Sequence, residues 1–206
     1  MPFRYNTSMN CLPVSFYLAD VTEVAQKMLG KRLVRVYKGR RLSGIITETE
    51  AYRGEDDLAC HARSGKTRRN AVMYGEPGRA YVYFTYGMHW CFNAVCGDFG
   101  FPVAVLVRAM EPSEGMEVMA EQRKGIKKSN WCNGPARLCK AMVIDGDLNG
   151  AILGDPASPL MIEDAYDLPE DAVSCSPRVG IAYAPEPWRS MPWRYTVHNV
   201  FAGSLR

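Results

Sequence analysis

Two short stretches hold the residues best suited to chemistry. Ile46-Thr47-Glu48-Thr49-Glu50-Ala51-Tyr52 ends a strand-like segment on a carboxylate and an aromatic ring. Tyr81-Val82-Tyr83-Phe84-Thr85-Tyr86-Gly87-Met88 is an aromatic-rich strand that runs into a turn. Between them lies a basic loop carrying His61, one of three histidines in the chain. Aromatic planes, a carboxylate and a cationic rim together suit the grip of a flat, electron-poor ring beside a polyanion. Tyr52, His61, Tyr83 and Tyr86 are the candidate stacking surfaces, each stacked base being worth about 1–3 kcal/mol. Tyrosines on strands more often serve as half-buried packing. Tyr86-Gly87 at a turn is the exception, because a large aromatic at an exposed tip is a poor core residue and a good wedge between base pairs.

Glu48 and Glu50 fall on one face of their strand, since side chains alternate. From spacing alone a salt bridge at a strand end is the simpler reading of either. The chemical reading concerns Glu50, which sits beside the ring a stacked base would occupy. An N-glycosidic bond breaks through an oxocarbenium-like sugar, and a nearby carboxylate can both stabilise that cation and deprotonate water. Arg108, closing an apolar strand, could orient that carboxylate or hold a phosphate. Asn93, in an otherwise apolar strand, is either a satisfied buried amide or a donor that selects among bases.

The elements that must position these groups can be read from pattern. Asp20-Val21-Thr22-Glu23 has the form of a capping box, followed by Val24, Ala25, Met28 and Leu29 at helical spacing and a stop at Gly30. Leu33–Tyr37 and Leu42–Glu50 read as strands joined by a hairpin turn over 38–41. Residues 53–79 lack periodicity, and a connection of this length in a compact fold is usually functional or disordered. Ala80–Tyr86 and Met88–Val95 form a hairpin, and Val103–Arg108 a further strand. Ser113 begins a second helix and Pro135 a third, suited to the first helical turn. Leu160–Ile162, Arg178–Tyr183 and Trp193–Val197 complete the strands. Helices and strands mix without βαβ regularity, so the class is α+β around a mostly antiparallel sheet, a single domain over 1–206 with residues 1–14 as a loose arm.

The totals narrow the function. The chain has 206 residues and a formal net charge of +3, but the charge is segregated. Residues 61–80 and 121–140 are basic, and the stretch 144–172 carries eight acids and no Lys or Arg, as suits a surface with one side for a phosphate backbone. The seven cysteines form no C-x-x-C pair, which points to reduced thiols in a cytoplasmic protein and to no metal site. No run reaches the ~18 apolar residues of a membrane span, and no leader pattern opens the chain.

Taken in order, Glu48-Thr49-Glu50-Ala51-Tyr52, His61, Arg69-Asn70, Pro77-Gly78, Tyr81-Val82-Tyr83, Tyr86-Gly87-Met88, Asn93, Val105 to Pro112 and Cys132-Asn133-Gly134-Pro135 resemble the alkyladenine (3-methyladenine) DNA glycosylase family. Arg178-Val179-Gly180-Ile181 resembles that family's C-terminal strand, and the short N-terminal arm fits a bacterial member. The resemblance covers about residues 18 to 200 and implies one mixed domain with a curved sheet and a protruding hairpin that intercalates into DNA. It implies a monofunctional, cofactor-free and metal-free enzyme, a monomer at the bacterial nucleoid, that flips a damaged purine from duplex DNA and hydrolyses its glycosidic bond. By the same resemblance Glu50 activates water, supported by Arg108. Tyr52 stacks on one side of the base, with His61 and Tyr83 on the other, and Asn93 screens against the guanine exocyclic amine. Tyr86 fills the gap in the duplex with Met88 beside it. Outside that carry-over, Arg68 and Arg69 of the basic loop are expected at the DNA, and His89 is expected to contact a phosphate or line the groove. The chain departs from the family pattern at Thr85 and His89. Three rivals are a non-catalytic damage-recognition module, a sugar hydrolase using Glu48 and Glu50, and a formyl-transfer or RNA-binding domain of similar architecture. Adjacent carboxylates on one strand cannot flank a sugar from two sides, and the last rival leaves Glu50 and Tyr86 unexplained.

Overall fold

The computed structural model describes residues 10–197. Its sheet contains β1 (Arg32–Tyr37), β2 (Arg40–Arg53), β3 (Ala80–Thr85), β4 (His89–Cys96), β5 (Val103–Glu114), β6 (Leu160–Glu163), β7 (Val173–Ser176) and β8 (Arg194–Val197). The main path runs β3-β4-β5-β2-β1-β6, and every pairing is antiparallel. Long β2 is the organising strand. It pairs with β5 along one edge, and on the other with β1 in its first half and β8 at Glu48–Glu50. This curled antiparallel sheet with three short helices is the α+β arrangement expected from the sequence.

Alternation across β2–β5 decides what lies on each face. Ala51, Val105, Ala94 and Ala80 lie side by side across the four strands and belong to the main core. That core is covered by α1 (Val21–Lys27) and α3 (Pro135–Ala141), which contribute Val21, Val24, Leu138 and Cys139. One residue along, Glu50 stands opposite Leu106, Leu106 opposite Asn93, and Asn93 opposite Tyr81. This second row faces away from the helices, toward a smaller cluster under the 54–79 connection that includes Cys60, Met73 and Tyr81. The near-continuous apolar reading of these strands follows from having both faces covered.

Several local expectations need correction. At α1, Asp20 caps as expected, accepting from the Thr22 amide at 2.9 Å. Glu23 does not reach back to it; Glu23 pairs with Lys27 at 2.6 Å, a helical neighbour one turn on. The second helix, α2 (Met116–Gln122), starts three residues later than expected. β5 continues to Glu114 because it stays paired with β2, and Gly115 at φ 70° makes the corner. Arg178–Tyr183 is not a strand but bends and turns, and β7 precedes it instead. Residues 10–14 are not a loose arm: Leu12 N–H donates to the Ile162 carbonyl at 2.9 Å and Cys11 bridges Glu163. The rest of that arm lies outside the described residues.

The β3–β4 hairpin is as expected. Its turn is closed by Met88 N–H on the Thr85 carbonyl at 3.2 Å. The central residues Tyr86 and Gly87 have φ of 52° and 67°, the sign that a tight, twisted hairpin turn requires. Tyr86 therefore stands outward, 83% exposed, with Met88 68% exposed beside it.

Candidate active site

The pocket-facing row builds a cavity of about 360 Å³, within the range of small-molecule sites. Tyr52, Arg108 and Asn93 line it from the sheet, Tyr83 and Tyr86 from the hairpin, and His61 and Arg69 from the long connection. Glu50 lies beneath this lining with its surface fully covered. Three donors converge on its carboxylate. Val179 N–H donates to Oε1 at 2.6 Å and the Tyr52 hydroxyl to Oε2 at 2.9 Å, while Arg108 Nη1 stands 3.2 Å from Oε2. Burial nonetheless dominates and raises the Glu50 pKa above its ordinary 4.5; Arg108, the Val179 amide and the Tyr52 hydroxyl oppose that rise. Burial likewise pushes the Tyr52 phenol well up, so it stays a hydrogen-bond donor. Oε1 carries one donor only and keeps capacity to accept a proton.

Glu48 has a different task. It accepts from Arg108 Nε at 2.7 Å and Arg194 Nε at 2.6 Å. The β2–β5 register shifts on either side of Glu48, and bulges commonly re-aim side chains next to active sites. Arg108 thus spans the two carboxylates. Burial alone would lower its pKa, but Glu50 and Glu48 outweigh it and raise the value. The salt-bridge reading holds for both glutamates, Glu48 pairing with Arg108 and Arg194 and Glu50 with Arg108.

The aromatic walls follow from the pleat and the connection. Tyr81 and Tyr83 share a face, with ring centroids 5.3 Å apart. His61 meets Tyr83 edge-on at 4.4 Å, and its Nδ1 lies 3.1 Å from the Tyr81 hydroxyl. Packing against these rings, and the Arg69 and Arg63 cations, pull the His61 pKa down to about 4. The residue as a whole is nonetheless exposed, at the cavity mouth. Asn70 fixes the loop behind it, donating to the carbonyls of His61 and Gly65 at 3.1 and 3.0 Å. Asn93 is 4% exposed and donates to the Tyr81 carbonyl at 3.0 Å, which sets the plane of its amide in the cavity wall.

Not every expected residue meets at the cavity. Arg68, Met88 and His89 are exposed on the surface outside it. Arg69 belongs to the wall: it donates to the Phe84 carbonyl at 2.9 Å and lies 5.3 Å over the Tyr83 ring. Sequence reasoning missed several contributors. Tyr81 and Cys91 line the cavity, and their place followed from alternation with Tyr83 and Asn93. Arg178 and Val179 come from a bend whose local pattern carries no signal of a role.

The cavity thus gathers aromatic side chains around a buried, triply held carboxylate. The model of the family described as methylpurine-DNA glycosylase (MPG) matches residues 15–200. The chain belongs to the methylpurine-DNA glycosylase family. Members of this class are hydrolases of N-glycosyl bonds, and the chain is a DNA glycosylase of that kind. A protein of Methanocella arvoryzae is 47% identical over 192 residues, covering 93% of this chain and 94% of its own length. One from Carboxydothermus hydrogenoformans is 44% identical over 188 residues, 91% and 95% of the two chains. One from Granulibacter bethesdensis is 42% identical over 201 residues, 95% and 88%. All three are provisionally named 3-methyladenine DNA glycosylase.

Proposed function

We propose that this glycosylase takes an alkylated or deaminated purine nucleotide out of duplex DNA, holds the base between Tyr52 and the His61–Tyr83 wall, and hydrolyses its bond to the sugar with a water deprotonated by Glu50. The abasic site is the product. The observation that carries the reading is Glu50 itself: a buried carboxylate with one oxygen held by Tyr52 and Arg108 and the other retaining room for a proton. As the glycosidic bond lengthens, the sugar gains positive charge that this carboxylate stabilises. The substrates are 3-methyladenine, 7-methylguanine, hypoxanthine and ethenoadenine. The methylated bases are cationic and suit aromatic walls, and damaged pairs cost less to open. The pinned amide of Asn93 meets the guanine exocyclic amine and so disfavours unmodified guanine, whose glycosidic bond lacks the positive charge that weakens that of 7-methylguanine. No lysine is among the described residues lining the cavity, which supports hydrolysis without strand cleavage. All seven cysteines are free thiols, and no helix among the described residues is long and apolar enough to cross a membrane. With them goes our reading of one monomeric domain working in the cytoplasm at the nucleoid.

The direct test is single-turnover release of 7-methylguanine and hypoxanthine from duplex DNA, alongside binding to an abasic-site duplex. Binding without release of any base would leave a damage-recognition module. The acid side of the rate profile is a sharper check. Burial raises the Glu50 pKa, and the base works only when ionised. Release, corrected for spontaneous depurination, should fall with a midpoint above 4.5. A midpoint at or below that value removes Glu50 from proton transfer.

The hairpin tip and its flank make separate predictions. Tyr86 is the wedge that replaces the flipped nucleotide, with Met88 beside it and His89 toward the backbone. Tyr86→Ser should slow release roughly tenfold from well-stacked lesions, equal to about 1.4 kcal/mol of lost flipping free energy. It should act least on mispaired ones, and an equal effect on all lesions would take Tyr86 out of the duplex. Arg68 is exposed and free to reach a phosphate, so Arg68→Ala should lower the slope of log affinity against log salt by about 0.9. An unaltered slope puts it off the DNA. Arg69 grips the hairpin as well as flanking the groove, so its loss should reduce base release beyond any change in binding.

A further inference from the structure

A buried ion pair behind the cavity is used by no step above. Asp57 and Arg178 have fully buried side chains and pair through both carboxylate oxygens, Arg178 Nη1 to Oδ2 at 2.5 Å and Nη2 to Oδ1 at 2.9 Å. Each end grips the main chain. Arg178 donates to the Ala51 carbonyl at 2.9 Å and the Trp188 carbonyl at 3.3 Å. Asp57 accepts from the amides of Arg53 at 3.1 Å and Ala59 at 3.0 Å. The guanidinium lies 4.7 Å over the Tyr52 ring and 5.0 Å over Trp193. The end of β2 after Glu50 and the adjoining start of the His61 loop are fastened at one point to the bend that carries Val179, more than 120 positions away.

Stability alone does not account for the pair. A buried ion pair often contributes no more than well-packed apolar residues would, and Arg178 Nε is left without a partner. What the pair does govern is geometry, because the residue after Arg178 supplies the amide held 2.6 Å from Glu50. Gly180, at φ 79°, then turns the chain along the cavity. We propose that Asp57 and Arg178 are positioning residues for the hydrolytic step: the pair sets the Val179 N–H on Glu50 and braces Tyr52 from behind, without touching substrate. This rests on the reading of Glu50 as the base.

Two variants that keep the charges and change only the reach of the pair test it, Arg178→Lys and Asp57→Glu; either suffices should the other not fold. Unfolding curves establish that the protein measured is native. Single-turnover release is then followed against pH, with abasic-site affinity alongside. A displaced Val179 amide removes a charge-assisted hydrogen bond from the ionised base. The acid limb should then move to higher pH by about one unit, and the plateau rate should fall about 10–100-fold, as misplacement costs, with affinity within about threefold of wild type. A limb that stays at its wild-type position in folded variants overturns the positioning role, whatever the rate. Failure of the wild type to release base would instead overturn the glycosylase mechanism on which that role depends.

Discussion

Glu50→Gln is expected to bind an abasic-site duplex as the wild type does and to release base about 10²–10⁴-fold more slowly, the usual worth of a positioned general base. Glutamine keeps the shape and offers Val179 N–H an oxygen, but it cannot take a proton from water. The same change should leave the fold at pH 7 as stable as the wild type, or more so. The sign follows from linkage. Burial raises the folded pKa of Glu50 above 4.5, so the folded state binds this proton more tightly than the unfolded chain does. The stabilisation from that proton is fully present below 4.5 and is lost as pH rises through the folded value. At pH 7 the ionised carboxylate therefore works against folding, and a neutral isostere relieves it. Sites that trade stability for function behave this way. Urea unfolding and single-turnover release on one preparation decide it. A variant that is markedly less stable, and slow only in proportion to its unfolded fraction, would make Glu50 a structural residue.

Arg108→Ala should have the second largest effect, on both stability and rate. Arg108 spans Glu48 and Glu50, and removing one partner of a buried pair costs about 3–5 kcal/mol because the other charge is stranded. Glu48 keeps Arg194 at 2.6 Å, so the loss should sit at the low end, near 3 kcal/mol. That corresponds to a drop in Tm of about 6–12 °C for a chain of this size. Among the groups that hold the Glu50 pKa down, Arg108 contributes most. Without it the acid limb of base release should move to higher pH, with activity recovering toward alkaline pH. Arg108→Lys should restore the charge but not the fork that reaches two carboxylates, and so recover the limb only in part. An Arg108→Ala profile with its limb unmoved would separate Arg108 from the base.

Much of this site was legible because strands impose a period of two on side chains. Tyr81 with Tyr83, and Glu50 with Tyr52, are same-face pairs by spacing alone, and an aromatic beside glycine at a hairpin turn had to point outward. The ordered motifs from Glu48 to Pro135 pointed to the family through their residue types, order and spacing. Other features depended on contacts between segments far apart in the chain. Glu48 and Glu50 look alike on their strand, and only the register of β5 and β8 gives Glu48 two arginines and leaves Glu50 one oxygen in reserve. Arg69 is one exposed cation among several until the hairpin brings Tyr83 beneath it.

The strand periodicity, the hairpin tip and the carboxylate beside an aromatic slot were determined by the sequence itself, since each rests on residues a few positions apart. The depth of that carboxylate, its third donor and the brace behind its tyrosine were decided only by the tertiary structure. Val179 reaches Glu50 across 129 positions and Arg178 reaches Asp57 across 121. No local pattern encodes such a contact. The bend that carries both residues has no hydrophobic period of its own, and its place is set by the ion pair to Asp57 and the hydrogen bond to Glu50.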